Sequence, residues 1–397
     1  MKNTFGNSIS LTIFGESHGP EIGCVLSGLA PGIPVSEDSI RETLRLRKPA
    51  GAISTARVEQ DEFRIVSGVY QGYTTGTPLC ILIPNSNTKS GDYSALKDLA
   101  RPGHADYTAF CKYHGFADPR GGGHQSGRLT AALVAAGGIL LPALQKKGIR
   151  IGSHIRMLGG GKEGEARFIE DRAFSSDEQT LNQEIEALKD KTFPVIQDAA
   201  AEKMQQRILQ AKEDQDSVGG ILECAVTGIP AGVGEPWFDS VESELSHILF
   251  AIPAVKGVEF GEAFSMVGER GSVYNDAFTA SSVSCAGFPA EGSEGPENGQ
   301  IPHEKAIRTL TNHNGGVNGG MTNGMPVLFR IAVKPTPSIS LPQQTVNFRT
   351  MEETEITVSG RHDPAIIHRA RIAADCAAAL AVADLLALRC GTDWLAE

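Results

Sequence analysis

Two stretches of this chain repeat one another. Residues 22–34 read IGCVLSGLAPGIP and residues 222–234 read LECAVTGIPAGVG, with Cys24 and Cys224, Gly28 and Gly228, and Gly32 and Gly232 in register. Each copy is an apolar, β-branched run that ends at a glycine turn. Each then leads into an acidic segment, Ser36-Glu37-Asp38 in the first and Asp239-Ser240-Val241-Glu242 in the second. Acidic residues just after a serine suit the first turn of a helix, where the hydroxyl caps free N–H groups and the charge meets the positive end of the dipole. The expectation is therefore one domain built from two related halves, each running strand, turn, helix. With 397 residues the chain can bury the core that such a body needs.

Periodicity supplies further elements. The first ~35 residues read as a β-hairpin, and further strands are expected over 62–67 and 78–83. Residues 129–147 are apolar or small on almost every face and end in Gln145-Lys146-Lys147-Gly148, which predicts a helix buried at the centre of the fold. Helical spacing of Leu181, Ile185 and Leu188, and of Met204, Ile208 and Ala211, predicts two charged helices in an acidic lobe at about 160–216. Residues 289–300, rich in Gly, Pro and Glu, read as a mobile surface loop.

The net charge is −11, which argues against nucleic-acid or membrane partners. Its distribution is uneven: acidic side chains crowd the stretch from Glu163 to Asp216. Residues 101–128 carry Arg101, Lys112, Arg120, Arg128, His104, His114 and His124 against Asp106 and Asp118 alone. A cationic segment inside an acidic protein points to a small-anion site. Seven cysteines without a C-x-x-C pair fit reduced thiols in the cytoplasm and argue against a zinc site or a disulfide framework. The N-terminal residues are too polar for a signal peptide.

Gly15-Glu16-Ser17-His18-Gly19 matches the G-x-S-x-G pattern of a hydrolase nucleophile elbow. An elbow needs a helix after the serine, and here Pro20 and a second β-like run follow, so the segment should be a hairpin turn. Four other clusters mix glycine with cations: Arg101–Thr108, Asp118–Arg128, Asn312–Gly324, and Lys334–Ser338 with Gly360–Pro364. Gly121-Gly122-Gly123 followed by Ser126 at a helix start would cradle an anion on backbone N–H groups. It is neither a P-loop nor a dinucleotide fingerprint. Each cluster also has a bland reading. His104 could be a turn histidine, Lys334 a solvated strand end, and Asp363-Pro364 an ordinary helix start with Asp as N-cap and Pro at N1.

Taken in order, GESHG, RPGHADYT, DPRGGG-x-x-S-x-R, the Asn312–Gly324 glycines, KPTPSI and GRHDP resemble chorismate synthases over nearly the whole chain. The resemblance implies an α+β fold, a β-α-β sandwich with a helical layer between antiparallel sheets and an internal pseudo-twofold repeat. It implies a lyase that converts 5-enolpyruvylshikimate 3-phosphate to chorismate and phosphate by 1,4-elimination, the last step of the shikimate pathway. Reduced FMN is required although the reaction is redox-neutral, and the family is typically homotetrameric.

By the same resemblance, His104 would protonate the departing phosphate, His18 would protonate the reduced flavin, and Asp363 would relay a proton. Ser17, Arg47 and Arg128 would contact the anionic substrate. His124, Gln125, Ser126, Ala254, Gly319, Lys334, Pro335, Thr336, Pro337, Ser338 and Arg361 would line the FMN site. The commonest family pattern has a more arginine-rich basic loop than Arg45-Leu46-Arg47-Lys48-Pro49-Ala50, and an Arg where His124 stands, which would make phosphate binding depend more on pH. No nicotinamide fingerprint occurs, so an external flavin reductase or another source of reduced FMN is expected. A non-catalytic flavin- or phosphate-binding protein is the alternative, and a hydrolase using Ser17 is a third reading.

Overall fold

A central layer of helices, flanked by two antiparallel sheets, sets the positions of everything that follows. The computed structural model describes residues 2–49, 51–55, 60–86, 97–281, 306–358 and 362–396. The expected loop at 289–300 and Arg361 lie outside the described residues.

In the first half, β1 (Ser10–Gly15) and β2 (Glu21–Ser27) form the expected hairpin, followed by α1 (Glu37–Arg47), β3 (Arg64–Ser67), β4 (Leu79–Pro84) and α2 (Thr130–Lys146). The second half runs β5 (Arg150–Leu158), β6 (Gly220–Thr227), α5 (Val241–Leu249), β7 (Val255–Phe260), β8 (Val327–Val333) and α6 (Ile367–Cys390). Between β5 and β6 come α3 (Glu178–Leu188) and α4 (Asp198–Glu213).

The strands order as β1-β2-β4-β3 in one sheet and β5-β6-β8-β7 in the other, each with a two-residue strand at the edge. These are the same topology, strand for strand, with one helix after the second strand and one after the last. The repeated sequences occupy β2 and β6, the middle strand of each sheet, so the internal repeat is a true architectural one. Gly28 and Gly228 have φ of 82° and 81°, and Gly32 and Gly232 of 91° and 84°. A Cβ at Gly28 would lie 1.8 Å from the Ser8 carbonyl, and one at Gly228 2.3 Å from the Gly148 carbonyl. That is why both copies keep glycine there.

The helices carry the sequence signals expected of them. Ser36 and Ser240 each accept a hydrogen bond from the N–H three residues on, at 3.2 and 3.1 Å. β4 alternates Leu79, Ile81 and Ile83 inward, and its other residues are only partly covered. α2 is buried nearly all round because it lies between sheets and between helices; with the turn before it (Gly127–Lys146) it is, among the described residues, the one helical span long and apolar enough to cross a membrane by length and composition. Gly137 and Gly138 permit this packing. A Cβ on the first would come 2.2 Å from Cys376 Sγ of α6, and one on the second 2.7 Å from Ile40 Cα of α1. The charges that interrupt α6 are each used: Asp384 accepts the N–H groups of Asn7, Ser8 and Ile9, and Asp375 accepts the Ser153 hydroxyl and pairs with Arg371.

The acidic segment packs on the second sheet. Leu181, Ile185 and Leu188 of α3 join Phe174 and Ala225 in a small cluster, while Ala200, Met204, Ile208 and Ala211 of α4 enter the main core. Beneath them His154 is fully buried between Asp171 and Glu223, at 3.0 and 3.1 Å. Burial opposes its charge, yet the two carboxylates prevail and raise its pKa.

Candidate functional site

The Gly15–Gly19 segment is a tight turn between antiparallel strands, as the sequence required. Gly15 has φ of 98°, and a Cβ there would meet the Glu21 carbonyl at 2.6 Å. Ser17 is buried and donates to the Arg120 carbonyl at 3.2 Å, while its own N–H donates to the Gly123 carbonyl at 3.1 Å. A strand, not a helix, follows it, so the elbow geometry of a hydrolase is absent here. The partner of this turn is the 120–125 segment, whose Gly121, Gly122 and Gly123 all have positive φ. A Cβ on Gly121 would lie 2.4 Å from the His18 ring, so His18 backs directly onto that glycine.

Gly121 and Gly122 form one wall of a cleft of about 520 Å³, which Gly103, His104, Gln125, Ser126, Ala254, Lys334 and Pro337 also line. Arg101, Lys97 and Arg349 add positive charge, with Asp98, Asp106 and Asp118 the carboxylates among the lining residues. Those acids are occupied: Asp106 takes two bonds from the Arg101 guanidinium at 2.8 and 2.7 Å, Asp118 pairs with Arg120 at 2.8 Å, and Asp98 pairs with Arg349. Lys334 Nζ donates to the Gly103 carbonyl at 2.6 Å, and its pKa is lowered by burial and by Lys256.

His104 Nε2 lies 2.9 Å from Ser338 Oγ. Burial and the charge of Arg101 pull its pKa down to about 4; Lys334 and His362 add to this and Asp106 opposes it. At neutral pH this imidazole is therefore uncharged, disfavoured as a cation chiefly by burial.

The remaining expected residues fall into two groups. Arg47 and Arg128 meet at a residue the sequence reading passed over: Asp61 is buried, with Arg47 Nη2 at 3.2 Å and Arg128 Nη1 bonded to its other oxygen. Asp363 is not the N-cap of α6. That helix starts at Ile367, because Asp363 is held elsewhere, by the Thr55 N–H at 2.8 Å and by Arg369 at 2.6 Å. Arg369 also donates to the Arg47 carbonyl at 2.8 Å, which ties Asp363 to the end of α1.

None of Arg47, Arg128 and Asp363 lines the cleft, and neither does the second group. His124 Nδ1 is 2.7 Å from the Gly15 carbonyl, and its ring lines a neighbouring cavity of about 500 Å³ that shares Gln125 and Ser126. Pro335 backs onto Gly219, and the Thr336 carbonyl accepts from Ser217 at 2.6 Å. Gly319 forms, with Gly320, the two-residue turn of a hairpin whose turn packs on Glu235 and Ser240, and does not line the cleft. Asp61, Asn85 and Arg369 were missed; only Arg369 carried a signal, a charge inside an apolar helix that had to have a partner.

The chorismate synthase family model matches residues 9–387. The chain belongs to the chorismate synthase family. A chorismate synthase of Pyrococcus abyssi is 42% identical over 384 residues, 97% of each chain, and one of Dehalococcoides mccartyi is 41% identical over 98% of each. A crystal structure titled chorismate synthase superposes with a TM-score of 0.71 at 25% identity, covering 98% of this chain and 94% of that one. The family makes this an enzyme, a lyase of the shikimate pathway acting on a small molecule, and the α+β sandwich expected from the motifs is the fold observed.

Proposed function

We propose that the chain converts 5-enolpyruvylshikimate 3-phosphate to chorismate and phosphate with reduced FMN bound in the cleft at His104. The observation that carries this is the place of His104, whose ring is braced by Ser338 at 2.9 Å in the wall of a cleft that Arg101 and Lys334 also line, with its pKa lowered to about 4, chiefly by burial. A phosphate oxygen brought beside it draws a proton onto the ring, and the ring returns that proton as the C–O bond breaks. The site generates its general acid only when the anion is there.

FMN fits the residues present. The cleft is of ligand size, Gly121 and Gly122 leave one wall without side chains, and Lys334, Arg101 and the Gln125–Ser126 turn offer donors for a phosphate. When bound, reduced FMN supplies the electron density that helps phosphate leave. The protein's residues orient and manage protons. His18, against Gly121, holds a proton at the wall behind the cleft, and Asp363, its carboxylate fixed by Thr55 and Arg369, accepts one at a carboxylate oxygen. Ser17, Arg47 and Arg128 serve the substrate's charges, and Ala254, Pro337 and Ser338 shape the cofactor side.

Homotetramer formation is part of the same reading. Trp237 and Phe238 are 85% and 88% exposed, apolar surface that further copies of the chain would cover. The free thiols of Cys24, Cys224 and Cys376 fit the cytoplasm, and reduced FMN would come from an external reductase. The test is anaerobic phosphate release from the substrate with chemically reduced FMN, against oxidised FMN. Release only with reduced FMN, with chorismate formed, is expected. Absence of release would leave a binding protein, and release without flavin would indicate a phosphatase.

A further inference from the structure

Asp61 stands at a junction that the reaction as proposed leaves unexplained. It is 6% exposed, adopts φ of 50°, a conformation that Asp tolerates better than most side chains, and holds two guanidinium groups at once. Burial raises its pKa, but Arg47 and Arg128 outweigh this and hold it lowered, so it stays a carboxylate. Arg128 is bound on three further sides: Nε donates to Asn85 Oδ1 at 3.1 Å, Nη2 to the Pro84 carbonyl at 3.2 Å, and its N–H to Ser126 Oγ at 3.3 Å. Asn85 in turn donates its amide to the carbonyls of Glu16 and Gly19, at 3.0 and 2.9 Å, the two ends of the turn that carries Ser17 and His18. A continuous chain of bonds thus runs from Arg47 through Asp61, Arg128 and Asn85 to the His18 turn.

We propose that Asp61 and Asn85 are positioning residues: Asp61 orients Arg47 and Arg128 toward the anionic substrate, and Asn85 fixes the His18 turn to Arg128. The proposal rests on the reaction assigned above. In it Arg128 acts as much by holding Asn85 as by its charge. The two residues act on one arginine, so their effects are not independent.

The experiment compares full-length wild type with Asp61→Asn, Asn85→Ala and the double variant. It reads substrate affinity by calorimetry without flavin, kcat/KM with reduced FMN, and the thermal midpoint. Asp61→Asn is expected to weaken substrate binding by about tenfold, and Asn85→Ala to lower kcat by about fivefold at an unchanged thermal midpoint. The double variant should fall short of the product of the two effects by at least about threefold. Effects that multiply, or an Asn85→Ala enzyme within about twofold of wild type, overturn the proposal. Asn85 is only partly buried, so its variant decides the matter if Asp61→Asn does not fold. An inactive wild type would instead refute the assigned reaction, and the calorimetric arm would still judge Asp61.

Discussion

If the anionic ligand raises the pKa of His104, binding must take up protons from solution, and the amount follows from the structure. With a pKa of about 4 in the free protein, His104 is about 3% protonated at pH 5.5. Return to the ordinary value of 6.5 in the complex would make it about 90% protonated, an uptake of roughly 0.9 proton per site. The coupling is worth roughly 3 kcal/mol between protonated and neutral states, so substrate affinity should rise as pH falls from 6.5 toward 4. Titration calorimetry of 5-enolpyruvylshikimate 3-phosphate in buffers of different ionisation enthalpy measures the uptake directly. Other groups also titrate, so the number that matters is the difference between wild type and His104→Asn, expected to be about one proton at pH 5.5. Equal uptake by the two would refute the reasoning, because the histidine would then not be where the ligand's charge is felt.

Other consequences are structural. His368 is buried at 2.8 Å from Ser54 Oγ, with its pKa pulled to about 4, chiefly by burial. The unfolded chain therefore binds the extra proton as pH falls from 6.5, and stability declines until about pH 4, where the loss levels off. His368→Gln should lessen the slope of the thermal midpoint across that window without abolishing it, since His104 carries a like depression, and an unchanged slope would contradict it. Asp384→Ala strips the acceptor from three backbone N–H groups and should cost roughly 3–5 kcal/mol in a chemical denaturation midpoint, with Asp384→Asn between it and wild type. Gly137→Ala should destabilise by about 1–3 kcal/mol. Cys376→Ala should not rescue it, because the Cβ at 2.4 Å remains, whereas Cys376→Gly should rescue it in part.

Legibility in the sequence followed the range of the interaction. The hairpin, α1, α2 and the cap at Ser36 were readable because spacing and capping are local. The repeat was readable because two glycine turns and a cysteine kept their register, and its meaning as matched sheets was confirmed only by the strand order. The cleft was half visible. The glycines at 121–123 and the cations at 101–128 announced an anion site, but which carboxylates neutralised which arginines depended on contacts across the fold. Asp363 shows the cost: Asp-Pro reads as a helix start, yet Arg369, six residues on, captures the carboxylate and the helix begins later. Asp61 had no local signal at all, since its two partners come from α1 and from the turn before α2.

The repeat also explains why the site lies where it does. In the first half β1 and β2 are joined by the short turn that carries His18; in the second, the equivalent connection holds α3 and α4 and supplies no residue to the cleft. The halves diverged there, but the starts of the two equivalent helices still converge. Arg128, just before α2, reaches Asp61 beside Arg47, and Arg369, in the first turn of α6, reaches the Arg47 carbonyl. Three arginines thus gather about the end of α1, with Asp61 and Asp363 as their carboxylate partners among the described residues. A helix start favours an anion through its free N–H groups and its dipole, so a duplicated fold that brings two such starts together concentrates positive potential without a positively charged protein. A net charge of −11 and an anionic substrate are compatible for that reason: the cations that would meet the substrate are gathered locally, at the seam between the halves, and need no positive charge elsewhere.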